Sequence, residues 1–119
     1  MAKSRGSKHD RITDDLELRL RASGKYALVI ANLEYKIDGR HGECDLFGIR
    51  RDYDAAFMFE VKTTDSSKSR HKAYIQLKKD RDYLWEHYAP STIYGFYVYG
   101  MGSKNNRLAY ELRRMIGPR

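Results

Sequence analysis

The chain has 119 residues, enough for one domain with a real core and too few for a second. Its single cysteine excludes an internal disulfide and a cysteine-built zinc site, and no apolar run approaches membrane-spanning length. Lys and Arg number 23 against 16 Asp and Glu, a net charge of +7, so a polyanion such as nucleic acid is the expected partner.

Residues 1–8 (Met1-Ala2-Lys3-Ser4-Arg5-Gly6-Ser7-Lys8) are polar and basic, and a mobile arm is expected there. They carry no apolar stretch of the secretory kind, which together with the lone cysteine fits a reducing, cytoplasmic setting (the host cytoplasm, for a phage or viral protein). Ile12, Leu16 and Leu20 recur at four-residue steps and predict a helix over 9–22, ended by Gly24. Tyr26 to Leu33 is rich in β-branched and aromatic residues and reads as a first strand, with Asp38-Gly39 marking a turn. A second strand is expected near 43–50, a turn at Asp52-Tyr53-Asp54, and a third strand over Ala55–Lys62. The third is mostly apolar on both faces, which predicts a central place in the sheet.

Residues 63–72 read as a polar, basic loop. A second helix follows to about Tyr88, with Ala73, Leu77, Leu84 and Tyr88 on one face, and Pro90 stops it. Thr92–Tyr99 reads as another strand, Gly100 and Gly102 bracket a turn, and a short strand or helix over Leu108–Ile116 closes the chain. The order α-β-β-β-α-β predicts a single α/β domain, a central mixed sheet flanked by helices.

The residues with chemistry in them lie on the second and third strands, in Gly42-Glu43-Cys44-Asp45-Leu46 and Phe59-Glu60-Val61-Lys62. Alternation sends Glu43 and Asp45 to one side of their strand, and Glu60 and Lys62 to one side of theirs. Paired as a hairpin, the strands would gather three carboxylates and an ammonium at one spot. Hard divalent ions such as Mg²⁺ favour carboxylate oxygens and keep waters for chemistry. Asp45 and Glu60, with the backbone carbonyl of Val61, are the expected ligands, and Glu43 an outer one. Lys62 would position or deprotonate the attacking water and offset charge growing at phosphorus. Either segment alone reads equally well as a surface ion pair; their adjacency gives the pattern its weight. Cys44 alternates away from Asp45 and is expected to be a small core residue. Arg5, Lys8, Lys68, Arg70 and Lys72 are candidate phosphate contacts, and the tyrosines at 94, 97 and 99 are expected in the sheet core or a dimer surface.

Asp45 followed by Glu60-Val61-Lys62 resembles the catalytic core of the PD-(D/E)XK nucleases, with Cys44 where the family pattern has Pro. The resemblance runs from the Gly6-Ser7 segment to Tyr99. It implies a restriction-endonuclease-like domain and Mg²⁺-dependent phosphodiester cleavage, with Mn²⁺ able to substitute. It also implies an acidic residue on the first helix and a polar residue, often Gln, on the helix after E-x-K. Asp10 is the expected acid, with His9 and Asp15 as rivals, and Gln76 is the expected polar residue. Within that superfamily, the minimal domain, basic arm and Lys/Ser-rich loop are similar to archaeal-type Holliday junction resolvases, including those of phages and viruses. That resemblance implies a homodimer placing paired symmetric nicks across a four-way DNA junction. Trp85, Tyr88 and Ile116 are candidates for the dimer surface. Competing expectations are a RecB-like exonuclease, a repair or restriction-type endonuclease, and a non-catalytic nucleic-acid binder. The complete Asp45/Glu60/Lys62 set speaks against the last.

Overall fold

The computed structural model describes residues 7–52, 54–101 and 108–117. Helix α1 (Lys8–Ala22) is followed by strands β1 (Tyr26–Ile37), β2 (Arg40–Arg50) and β3 (Ala55–Lys62). Helix α2 (Ser67–Tyr88) then leads to strands β4 (Thr92–Gly100) and β5 (Tyr110–Ile116). The strands form one mixed sheet in the order β1-β2-β3-β4-β5. Among the described strands only β3 and β4 run parallel, a step that needs a crossover, and α2 supplies it. β3 is central, as its two apolar faces require, and the last segment is an edge strand. No described helix is long and apolar enough to cross a membrane.

Each helix covers one face. Ile12, Leu16 and Leu20 of α1 pack on Val29, Leu46, Phe59, Val61 and Val98. Leu77 and Leu84 of α2 pack on Tyr35, Cys44, Phe47, Ala56 and Met58, so Cys44 is the core residue expected. Ile116 is buried in this second cluster, and Tyr88 is partly buried against the Phe47 ring. Trp85 stays 43% exposed.

Local chemistry moved two boundaries. Lys8 is the first residue of α1 rather than the end of an arm, because the Ser7 hydroxyl caps the helix by accepting from the Asp10 amide at 3.0 Å. Arg5 and the rest of residues 1–6 lie outside the described residues, as do Tyr53 and Gly102. Likewise α2 begins inside the segment expected to be a loop: Ser66 accepts from the Ser69 amide at 3.0 Å and starts the helix six residues early. The hairpin β1–β2 is longer at its tip than expected. Asp38 and Gly39, at φ 51° and 74°, supply the two positive values that a tight two-residue hairpin turn demands, so the ladder continues to Ile37↔Arg40.

The most consequential irregularity lies mid-hairpin. In β1, Leu28 and Ile30 face α2, and Val29 and Ala31 face α1; beyond Asn32, Leu33, Tyr35 and Ile37 face α2. The alternation has shifted by one. β2 shifts with it: Cys44 and Phe47, three apart, both face α2. The flanking pairs Ala31↔Leu46 and Leu33↔Cys44 put Asn32 opposite Asp45, and Asn32 adopts φ 55°, a left-handed backbone that Asn tolerates better than most residues.

Candidate active site

The β2–β3 ladder ends at Leu46↔Phe59, so the next two residues in register are Asp45 and Glu60. Past this point the described partner of β2 is β1 alone, and the hairpin tip leaves the sheet as an arm. Asp45 is 6% exposed and occupies the fork. Its Oδ2 accepts from the Val61 amide at 2.8 Å, giving that N–H an acceptor where the β2 backbone no longer offers one. The same oxygen lies 3.3 Å from Nε2 of His9 on α1. This contact raises the His9 pKa and favours an imidazolium partner for the carboxylate.

Glu60 is 7% exposed. Its Oε2 sits 3.7 Å from Nζ of Lys62, while Oε1 is buried with no hydrogen-bond partner among the described residues. Burial pushes its carboxyl well above the usual range, the charges of Asp45 and Asp80 push further, and Lys62 offsets only part.

Asp45, Glu60 and Lys62 open into one cleft of about 550 Å³, which Glu43, Asp10 and the Val61 backbone also line. Glu43, Asp45, Glu60 and Lys62 therefore line one cleft, at the point where the alternation of β2 shifts. His9, Asn32, Glu34 and Thr63 complete the wall. Of the first-helix candidates, His9 touches Asp45; Asp10 lines the cleft, with its carboxylate 3.6 Å from Nδ1 of His9. Asp15 points elsewhere, accepting from Arg19 at 3.0 Å and from the Tyr110 hydroxyl at 2.7 Å.

Gln76 does not line the cleft. Its amide donates to the Glu43 carbonyl at 2.8 Å and to Oδ1 of Asp80 at 2.9 Å. Asp80 also accepts from the Tyr35 hydroxyl and is 0% exposed, with Oδ2 unpartnered among the described residues. Gln76 thus acts on the backbone two residues from Asp45, through a buried network that sequence reasoning missed. The signal was present: Asp80 falls on the core-facing series Ala73, Leu77, Leu84, where a lone acid is out of place.

The loop from Lys62 to α2 is held from below. The buried Tyr97 hydroxyl donates to Oδ1 of Asp65 at 2.9 Å, and Arg70 donates to the same oxygen at 2.8 Å. These bonds hold the Asp65 carboxyl below its ordinary pKa, Tyr97 contributing most. Arg70 is therefore engaged, while Lys68 and Lys72 are exposed on the first turns of α2. Lys8 donates to the Met101 carbonyl at 3.1 Å. None of the four lines the cleft.

Among the described residues no three Asp, Glu, His or Cys side chains form a ready ion cage. A hard Mg²⁺ does not require one: it is commonly held by one or two carboxylates, with waters and substrate phosphate completing its shell. Two adjacent buried carboxylates, one with an oxygen that no described donor reaches, fit that ion. No protein-family model matches this chain, and no curated protein does. A solved structure described as the crystal structure of SSO0001 is similar to it over 87% of this chain, with 21% identity and a TM-score of 0.37. The chain spans about half the length of that protein, 48%. A superposition that loose decides nothing about the activity of this one.

Proposed function

We propose that the cleft cuts phosphodiester bonds, and that the protein is a Mg²⁺-dependent DNA endonuclease of the PD-(D/E)XK type acting in the cytoplasm. The observation that carries this reading is the pairing of Asp45 and Glu60 at the end of the β2–β3 ladder, buried, with Glu60 Oε1 unpartnered among the described residues and Lys62 alongside. Two carboxylates buried side by side are unfavourable unless a cation joins them. Asp45 and Glu60, with the Val61 carbonyl, would hold Mg²⁺ or Mn²⁺, and Glu43 stands at the rim. Bound there, the ion supplies Lewis-acid polarisation and a water of lowered pKa.

The chain's own groups do the rest. The Val61 amide and His9 fix the Asp45 carboxylate in one orientation, which preorganises it. Lys62 presents an ammonium to the cleft beside Glu60, where it orients the attacking water and offsets charge on the phosphoryl oxygens. Gln76 pins the Glu43 backbone and so steadies the arm that carries Asp45. The preferred substrate in this reading is a four-way junction cut symmetrically by a homodimer, since two sites on a two-fold axis recognise shape.

The test is cleavage of a labelled four-way junction and a matched linear duplex in Mg²⁺ by wild type, Asp45→Asn and Glu60→Gln. Wild type should cut, each variant should lose cutting by orders of magnitude, and DNA binding should persist or tighten as a negative charge is removed. Near-normal cutting by either variant removes the site assignment. Equal cutting of duplex and junction removes the junction preference while leaving the nuclease.

A further inference from the structure

We propose that the groove between helix α2 and the tip of the β1–β2 arm grips the phosphate backbone of the nucleic acid that enters the cleft. The inference rests on the nuclease reading for what lies in the cleft, and it names a contact surface that reading does not contain. The cleft alone is a poor place to capture a polyanion. It carries five carboxylates, Asp10, Glu34, Glu43, Asp45 and Glu60, against Lys62 and His9. Attraction for phosphate has to come from other parts of a surface whose net charge is +7.

The groove supplies it. Its volume is about 470 Å³, and it is lined by Arg40, Lys78, Lys79 and Arg81 against Asp38 and Asp82. Arg81 lies 3.8 Å from Asp82, an exposed pair of small worth that leaves an excess of positive charge. The shape is held from both sides. Nζ of Lys79 donates to the His41 carbonyl at 3.3 Å and ties the helix to the arm, and the Lys78 ammonium rests 5.2 Å from the centre of the Tyr74 ring.

Position relates the groove to the cleft. One ladder lines both: Glu34↔Glu43 at the cleft and Ile37↔Arg40 at the groove. Three residues of strand span about 10 Å, the rise of about three base pairs along a DNA helix axis. The pairs are an odd number of residues apart, so cleft and groove open on opposite faces of the arm, and nucleic acid held at both must pass around its edge.

The test uses the whole protein, with fluorescence anisotropy on a labelled duplex and a labelled four-way junction, Ca²⁺ replacing Mg²⁺ to suppress cutting. The variant is Arg40→Gln with Lys78→Gln. The charge-matched control is Lys25→Gln with Arg113→Gln, at the far end of β1 and on the opposite edge strand; all four positions are exposed, and thermal melts confirm folding. Removing two phosphate contacts should lower the slope of log Kd against log salt by about 2 and weaken binding about tenfold or more at physiological salt. The control should fall far less. Equal losses in variant and control, or no loss in the variant, overturn the groove. Wild type that binds polyglutamate and not DNA overturns it in favour of an acidic protein partner. Failure of the nuclease reading looks different: no Mg²⁺-dependent cutting by wild type, with the groove variant still defective in DNA binding.

Discussion

Replacing Asp80 by asparagine is expected to stabilise the protein at neutral and alkaline pH and to leave it nearly unchanged in acid. Asp80 is fully buried beneath the arm; Oδ1 accepts from Tyr35 and Gln76, and Oδ2 has no donor among the described residues. Burial raises its carboxyl from the ordinary 3.8 to about 6, overcoming the donors that would lower it. A carboxyl raised in the folded state binds its proton more tightly there, so its favourable contribution is full below about pH 4 and is lost as pH climbs through about 6. A rise from 3.8 to about 6, at about 1.4 kcal/mol per pH unit, bounds the loss near 3 kcal/mol. The asparagine carbonyl keeps both donors and removes the buried charge, while its NH₂ enters the unpartnered Oδ2 position at some cost, so a gain of about 1 kcal/mol is expected at pH 8. Chemical denaturation of both proteins in EDTA, from pH 4 to pH 8, reads the difference with other titrations cancelling. A variant less stable than wild type at pH 8, or a difference flat in pH, would refute the reasoning.

Lys62→Ala should lose most cleavage while calorimetry still detects Mg²⁺, since the ammonium acts on water and phosphate rather than as a ligand; collapse of ion binding would count against that role. Asn32→Gly should be tolerated, whereas Asn32→Val should cost about 1–3 kcal/mol, because a β-branched residue resists the left-handed backbone at φ 55°. If the two behave alike in denaturation, the paired shift of β1 and β2 does not depend on that conformation. Gly42→Ala should cost about 1–3 kcal/mol, since a Cβ there would collide with the Tyr35 ring across the ladder; an unchanged midpoint would show that the ring has room to move.

The strands were legible because their chemistry is local. The run Ala55–Lys62 declares itself central by having no polar face, and Asp38-Gly39 declares a tight hairpin by residue type alone. Asp45, Glu60 and Lys62 were legible as a group because an antiparallel pairing of these two short segments leaves Asp45 and Glu60 as neighbours in register. What the sequence hid depends on partners far along the chain. Asp80 meets Tyr35 across 45 residues and His9 meets Asp45 across 36, and neither pair leaves a spacing to find. The start of α2 was missed for a different reason: a run rich in Ser, Lys and Arg suits a loop in composition, and one capping hydroxyl decided otherwise.

The fork at Asp45 also divides the sheet by stability. On the body side, Leu46–Ile49 are laddered on both edges, to β1 and to β3. On the tip side, Arg40–Cys44 are laddered to β1, with Gln76 and Lys79 clasping two carbonyls from the helix. The tip can open without disturbing a central hydrogen bond, whereas the body can open only with the whole domain. Hydrogen exchange along β2 should therefore step sharply at one residue, and the carboxylate at that step belongs to both regimes: anchored by the amide of the rigid strand, carried on the strand that can breathe.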